Sequence, residues 1–262
     1  MTTAGDYPEH PLSGRNRLAH RWIPRGVPRL LDAGCSYGYA TRFFAQRARR
    51  AAGVDVDADA VAVARERYPD IEFAVAGLEA LPFEDAAFQA VVCCDVLEHV
   101  DDERASLDEL YRVLAPGGTL ILSTPHRGAL GFLDPVNLPA KAAPALQRLN
   151  PALYERLREQ ALGDDGRPWW ETQPHHRHYA LGDLRALLDA SAFAGGYEIR
   201  DVVRSGLLPS PAGFADAVTG LAALPPAVSR ALARTGAALE AVDYWVPWGP
   251  AAFNIAVRLR KT

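Results

Sequence analysis

The chain has 262 residues, 49% of them hydrophobic, enough to bury a sizeable core within one domain. Its formal net charge of −4 lacks the basic footprint of a nucleic-acid binder. No apolar signal core opens "MTTAGDYPEHPLSGRNR", and the longest uncharged stretch, near "AVTGLAALPPAVS", is too short for a bilayer and is broken by Pro225 and Pro226. Cys35, Cys93 and Cys94 form an odd set without metal-type pairing, which suits a reducing cytoplasm, so a soluble cytoplasmic protein with no transmembrane segment is expected.

In chain order, an N-terminal helical segment over 1–28 leads into "RLLDAG", a short apolar strand that ends in a turn, and "YATRFFAQRA" has helical spacing. "AAGVDV" predicts a second strand, and "DADAVAVARERY" a helix that Asp57 or Asp59 can cap before Pro69 stops the chain. "IEFAVAG" and "FQAVVCCDV" are apolar and β-branched, as strands buried on both faces are. Leu107, Leu110 and Leu114 share one helical face, and "APGG" turns the chain into "TLILSTP", another buried strand. This alternation predicts an α/β fold, a doubly wound, mostly parallel sheet with helices on both faces.

The second half loosens. From His126 to Tyr179 a proline-rich segment holds one clear helix, "PALYERLREQ"; "LGDLRALLDASAF" is a helix and "YEIRDVVRS" a strand. After an Ala- and Pro-rich stretch, "FNIAVRLRK" closes the chain as a strand with alternating faces. The expectation is one domain over 1–262, with insertions over 126–179 and 206–250.

The stretch "LLDAGCSYGYATRFF", Leu30–Phe44, carries the chemistry. A strand ends on Asp32, and small residues follow at Gly34, Ser36 and Gly38, as where a backbone must approach a ligand closely. Asp55 ends the next strand, roughly 20 residues after the first glycine, the distance at which dinucleotide folds place the acid for the ribose hydroxyls. NAD fits poorly: Ser36 occupies the second glycine of its fingerprint, and the next glycine comes two residues later instead of three.

The run resembles motif I of the class I S-adenosylmethionine-dependent methyltransferases. The likeness continues in "GVDVDADAV", "LEALPFEDAAFQAVVCCDVLEHV" and "LYRVLAPGGTLILSTP", in family order, and returns thinly in "HRHYALGDLRALLDASAF". It implies a seven-stranded sheet whose last strand is antiparallel, with S-adenosyl-L-methionine as cofactor. It also implies a cofactor-binding set of Asp32, Gly34, Cys35, Ser36, Gly38, Asp55, Val56, Leu78, Asp95 and Val96. In that set Asp32 orients the methionine end, Gly34 to Gly38 lie beneath it, Asp55 holds the ribose diol and Leu78 walls the adenine. Asp95 lies near the methionine end or the acceptor. Two positions depart from the pattern: Ser36 replaces the middle glycine, and Gly77 stands where relatives carry an acid for the adenine amino group.

With the last strand antiparallel, both insertions leave at the carboxyl ends of strands and are expected to meet over the cofactor as a lid. They carry Phe132, Trp169, Trp170, Phe214, Tyr244, Trp245 and Trp248 beside Arg127, Asp134, Asn137 and histidines, a mixture suited to a small hydroxylated acceptor or, for some aromatics, to the lid's own core. Tyr37 and Tyr39 either gate the cofactor or pack, and His99 either packs or meets the acceptor. Cys93 and Cys94 are small buried residues rather than nucleophiles. His175, His176 and His178 have a His-x-x-His spacing with no acidic or cysteine ligand set nearby, so no metal is expected. For a catalytic base, His126 ranks first and His178 second; the competing role for His126 is a turn cap. The function expected is O-methylation of a sugar-like or glycosylated metabolite in bacterial secondary metabolism. C-methylation of a quinone- or polyketide-like acceptor and a non-catalytic cofactor-binding regulator are the alternatives. The sequence assigns no oligomeric state.

Overall fold

A computed structural model describes residues 12, 14–129, 137–162, 166–168, 177–206, 243, 246 and 248–262. Strands β1 (Val27–Ala33), β2 (Ala48–Asp55), β3 (Glu72–Val75), β4 (Phe88–Cys94), β5 (Leu114–Pro125), β6 (Tyr197–Ser205) and β7 (Asn254–Lys261) form one sheet in the order β3-β2-β1-β4-β5-β7-β6. β7 runs antiparallel to β5 and β6, and the other pairings are parallel. The strand order reverses between β1 and β4, and in such sheets ligands bind outside the carboxyl ends at that crevice.

Neighbouring apolar residues of the central strands feed opposite faces. Leu31, Val91, Leu120 and Val257 meet Leu107 and Leu110 of α4 (Glu103–Val113) and Leu184 and Leu188 of the helix Leu181–Asp189 in one core. Leu30, Ala90, Val92 and Ile121 meet Phe44, Ala19 of α1 (Gly14–Trp22) and Ile23 just after it in the other. Burial on both faces is why these strands read as apolar runs.

Four boundaries differ from the sequence expectation. β1 begins at Val27, inside the expected N-terminal helical segment. The helix after the glycine turn is a single turn, α2 (Thr41–Phe44), because Ala48 already pairs with Val27 and Gly26 N donates to Arg47 O at 2.7 Å. "APGG" lies within β5 as a bulge: the ladder passes from Phe88↔Leu114 to Ala90↔Thr119, with Gly117 at φ 74°. A helix over Asn137–Leu149 precedes the expected Pro151–Gln160; Pro144 inside it had obscured the helical pattern. In chain order these are α5 and α6, and Leu181–Asp189 is α7. The remaining helix, α3 (Ala58–Arg67), is capped by Asp57, whose carboxylate accepts from Asp59 N and Ala60 N at 3.0 Å each. β5 ends at Pro125 and β6 at Ser205, and most of 206–250 lies outside the described residues.

The "LPFEDAAF" loop between β3 and β4 is held by one side chain. Arg112 donates to Leu81 O at 3.0 Å, Phe83 O at 2.7 Å, Asp85 Oδ1 at 2.9 Å and both oxygens of Glu109, whose Oε2 also accepts Leu81 N at 2.8 Å. Hydrogen bonding from Arg112 holds the Glu109 carboxyl below its usual range. Arg112→Met should cost about 2–3 kcal/mol in urea unfolding, the scale of lost bonds to a charged group. Since the Glu109 contribution is present above the ordinary glutamate pKa and lost as pH falls through the lowered one, the wild-type advantage should shrink in acid.

Candidate active site

β1 ends on a turn whose backbone leaves little choice of residue. Gly34 has φ 90°, and a Cβ there would lie 2.1 Å from Val96 Cγ2, so the first glycine is set by the side chain that follows β4. Gly38 has φ 74° and rests against Phe73, Tyr68 and Ala64, where a Cβ would come within 2.8 Å of Phe73 Cζ. Between them Ser36 adopts φ 45°, a left-handed conformation that costs an L-residue roughly 1–2 kcal/mol. Its backbone N–H finds compensation: it donates to Asp55 Oδ2 at 2.8 Å, while Asp55 Oδ1 accepts Asp57 N at 3.0 Å. The carboxylate at the end of β2 therefore ties the turn to the neighbouring strand. Each oxygen retains acceptor capacity for a further donor.

Asp32 is buried at 4% exposure and accepts the Thr41 hydroxyl at 2.6 Å. Burial pushes its carboxyl up to about 7; the Thr41 bond pulls the other way, and Asp55 adds repulsion. Cys35 is buried beneath the turn. Burial also pushes the thiols of Cys35, Cys93 and Cys94 up, with Cys94 at about 12, so none is a thiolate nucleophile near neutrality.

Beyond β2, Val56 is 73% exposed, an apolar side chain left to solvent at the rim. Leu78 is buried at 3% in the main core, so its side chain belongs to the floor of the rim. A Cβ on Gly77 would lie 2.9 Å from Glu79 Oε2, the far end of a flexible side chain, and 3.7 Å from Val56 Cγ1, so Glu79 brings a carboxylate beside this position. Beyond β4, Asp95 has φ 55°, accepts the Ser123 hydroxyl at 3.3 Å and forms an ion pair with Arg15 of α1. Glu98, in "VLEHV", is a further buried carboxylate at 1% exposure.

Two strands away, His126 directly follows β5 and is 5% exposed. Its Nδ1 lies 3.0 Å from Ala252 O. A carbonyl only accepts, so Nδ1 carries the proton and the neutral ring keeps its lone pair on Nε2. Burial lowers its pKa; the Ala252 bond raises it, and Arg204 and His178 lower it further. His178 is thus close enough for its charge to be felt at His126. It is flanked by anchored neighbours: Tyr179 bridges to His126 and donates its hydroxyl to Leu97 O at 3.3 Å and to Glu103, while Arg177 pairs with Glu103 at 3.0 Å and donates to Val100 O. His175, His176, Phe132, Asp134, Trp169, Trp170, Phe214, Tyr244 and Trp245 lie outside the described residues. Among the described residues no cluster of three or more His, Cys, Asp and Glu could hold a metal ion.

A family model described as a methyltransferase domain matches residues 31–122. Over 111 residues the chain is 43% identical to a probable S-adenosylmethionine-dependent methyltransferase of Mycolicibacterium smegmatis, covering 42% of each chain. Over 135 residues it is 31% identical to a ubiquinone biosynthesis O-methyltransferase of Xylella fastidiosa, covering 48% of this chain and 55% of that one. Residues 31–122 are thus similar to a methyltransferase domain, and the relatives that match this region are named as S-adenosylmethionine-dependent or O-methyltransferases. In these matches it spans about half, or less, of the length of the curated relatives. The fold is shared with the [4+2]-cyclase SpnF at a TM-score of 0.58 and 21% identity, over 94% of this chain and 81% of that one.

The cofactor of this domain is S-adenosyl-L-methionine, and the residues present suit it. The turn at Gly34 and Gly38 leaves no room for side chains, so its backbone is open to close approach by a ligand. Sequence reasoning missed Thr41, Arg15 and Glu98. Thr41 was signalled weakly by its place at the helix start, whereas nothing in the sequence ties Arg15 to Asp95.

Asp32 also sets a stability test. Its folded pKa lies above the ordinary value of 3.8, so the ligand-free fold loses stability as pH rises from about 4 through about 7. Thermal melts from about pH 5 to about pH 8 should show wild type losing stability relative to Asp32→Asn; parallel curves would mean that Asp32 titrates normally.

Proposed function

We propose that the protein transfers a methyl group from S-adenosylmethionine to an oxygen of a small organic acceptor, a sugar-like or glycosylated metabolite of bacterial secondary metabolism. The observation that carries this reading is His126: buried, held neutral, and with its proton on Nδ1 by the Ala252 carbonyl. The cofactor supplies an electrophilic sulfonium methyl, so the protein's tasks are alignment, exclusion of water and removal of the acceptor proton. His126 Nε2 accepts that proton, with His178 as second candidate. Asp55 accepts the ribose hydroxyls, Asp32 orients the methionine end, and Leu78, with Val56 at the rim, walls the adenine. The O-methyltransferase named among the relatives supports transfer to oxygen. The two insertions close over the acceptor. Three free thiols support a cytoplasmic location, and the net charge of −4 argues against a nucleic-acid acceptor.

A second reading is cofactor binding without methyl transfer, since a shared fold does not by itself fix the chemistry carried on it. Incubation with methyl-labelled cofactor and an extract of the source organism separates the two: a labelled small-molecule product with oxygen-linked methyl supports transfer to oxygen, and binding without any labelled product supports the second.

Asp55→Ala should weaken S-adenosylhomocysteine binding by about 1.5–3 kcal/mol in calorimetry, the scale of bonds to a charged acceptor. Unchanged affinity in a folded variant would put the ribose elsewhere. Turnover should rise with pH as His126 loses its proton, with the limb below the ordinary histidine range because its pKa is lowered. His126→Ala should remove that limb and cut the rate by roughly 10²–10⁴-fold while leaving cofactor affinity intact. An unaltered profile would reject His126 as the base.

A further inference from the structure

Arg204 differs from the arginines around it. Arg127 pairs with Asp183 at 2.7 Å, Arg177 with Glu103 at 3.0 Å, and Arg258 with Asp201. Arg204 is half-buried, yet among the described residues its side chain forms no ion pair and no hydrogen bond. It is the last residue but one of β6, where the chain leaves for the second insertion. Arg204 and Thr124 both pair with Ile255 of β7, so the three side chains share the face that carries the main core. His126 lies two residues beyond Thr124 and bridges to Tyr179 of that core, which puts it on the same face. Arg204 and His178 both act on His126 as cations, so the base proposed above sits in a positive field. Thr124, at the other end of the row, is buried, and its Oγ1 has no hydrogen-bond partner among the described residues. The row therefore ends in two polar groups whose bonding capacity the ligand-free chain does not use.

We propose that Arg204 binds a carboxylate of the acceptor, which makes the substrate a hydroxylated acid and not a neutral alcohol. The inference rests on the transfer reading above and narrows its acceptor. A guanidinium matches a carboxylate with two parallel N–H bonds. An acid brought by the substrate completes for Arg204 the pairing that Asp183, Glu103 and Asp201 complete for its neighbours. A neutral sugar would instead leave a partly desolvated cation without a partner, the costlier state. β7 separates β5 from β6, two strand spacings or roughly 10 Å, so the acidic group lies several bonds from the hydroxyl that His126 deprotonates. The methylated oxygen is therefore not the carboxylate itself, and the product is an ether that keeps its negative charge. Because that charge does not change during transfer, Arg204 binds substrate and transition state alike and sets specificity through KM.

The probe is a deproteinised extract of the source organism, split by an anion-exchange resin near neutral pH into retained and unretained fractions. With methyl-labelled cofactor, wild type should label a compound of the retained fraction. The product should itself be retained, stay so after phosphatase treatment, and resist mild alkali, which cleaves a methyl ester but not a methyl ether. Arg204→Met should need about 10–100-fold more of that fraction for its half-maximal rate, with the rate at saturation within about threefold of wild type. Its affinity for S-adenosylhomocysteine should stay within about twofold in calorimetry, the check that the variant is folded and its cofactor site intact. Arg204→Lys should recover part of the loss, since it keeps the charge without the fork. Label confined to the unretained fraction, retention lost to phosphatase, label released by alkali, or an Arg204→Met variant with wild-type demand for the acceptor would each overturn the inference and leave methyl transfer standing. Absence of labelled product from both fractions, with wild type binding S-adenosylhomocysteine, would overturn the transfer reading and this inference with it.

Discussion

The site depends on the close approach of Gly34 to Val96. With no room for a Cβ at residue 34, the chain leaves β1 in a left-handed turn against the residue that follows β4, directly over the point where the strand order reverses. Everything that faces the crevice inherits its position from that contact. Ser36 is carried into a strained conformation that its N–H bond to Asp55 offsets, and Asp55 is thereby fixed at the end of β2. Asp32 is shut beneath the turn, and that burial, against the opposing pull of the Thr41 hydroxyl, is why a carboxyl there holds its proton up to about pH 7. Glycine at 34 thus secures a local backbone shape and the electrostatics of the pocket together.

A second set of backbone bonds joins the exits of the two insertions. His126 N donates to Phe253 O at 2.6 Å, Ala129 N to Pro250 O at 2.6 Å and Phe253 N to Gly206 O at 2.6 Å. Gly128 passes so close to this seam that a Cβ would lie 2.3 Å from Pro250 O. The seam makes the tautomer of His126 a property of the second insertion, because Ala252 supplies the carbonyl that holds its proton. Trp248, at the far side of the same turn, is anchored by Asp243, which accepts its indole N–H at 2.6 Å.

The segment 177–179 performs a similar service from the first insertion. Glu103, at the start of α4, pairs with Arg177 and accepts the Tyr179 hydroxyl, whose single proton also lies within reach of Leu97 O, and Arg177 donates to Val100 O. His178 stands between two side chains committed to the loop after β4, so its place relative to His126 is set by that loop rather than by the proline-rich chain before it.

The sequence alone determined the strands of the first half, a helix after β2 capped by Asp57 or Asp59, the antiparallel closing strand through its family resemblance, and the glycine turn with Asp55. Each rests on local chemistry: runs of apolar residues, a carboxylate before a helix, glycines where φ must be positive. It was less informative where long-range pairing overrode local preference. The ladder from Val27 to Ala48 cut short a helix that Phe43 and Phe44 advertise, and the bulge at Gly117 absorbed a turn into β5. Only the tertiary structure brought Arg15 to Asp95, Ala252 to His126 and Glu103 to Tyr179, the last two pairs 126 and 76 positions apart in the chain and the first joined by way of α1 packing on β4. Such pairs leave no periodic or motif signal, because the free energy that joins them comes from the sheet and its flanking helices and not from neighbours in the chain.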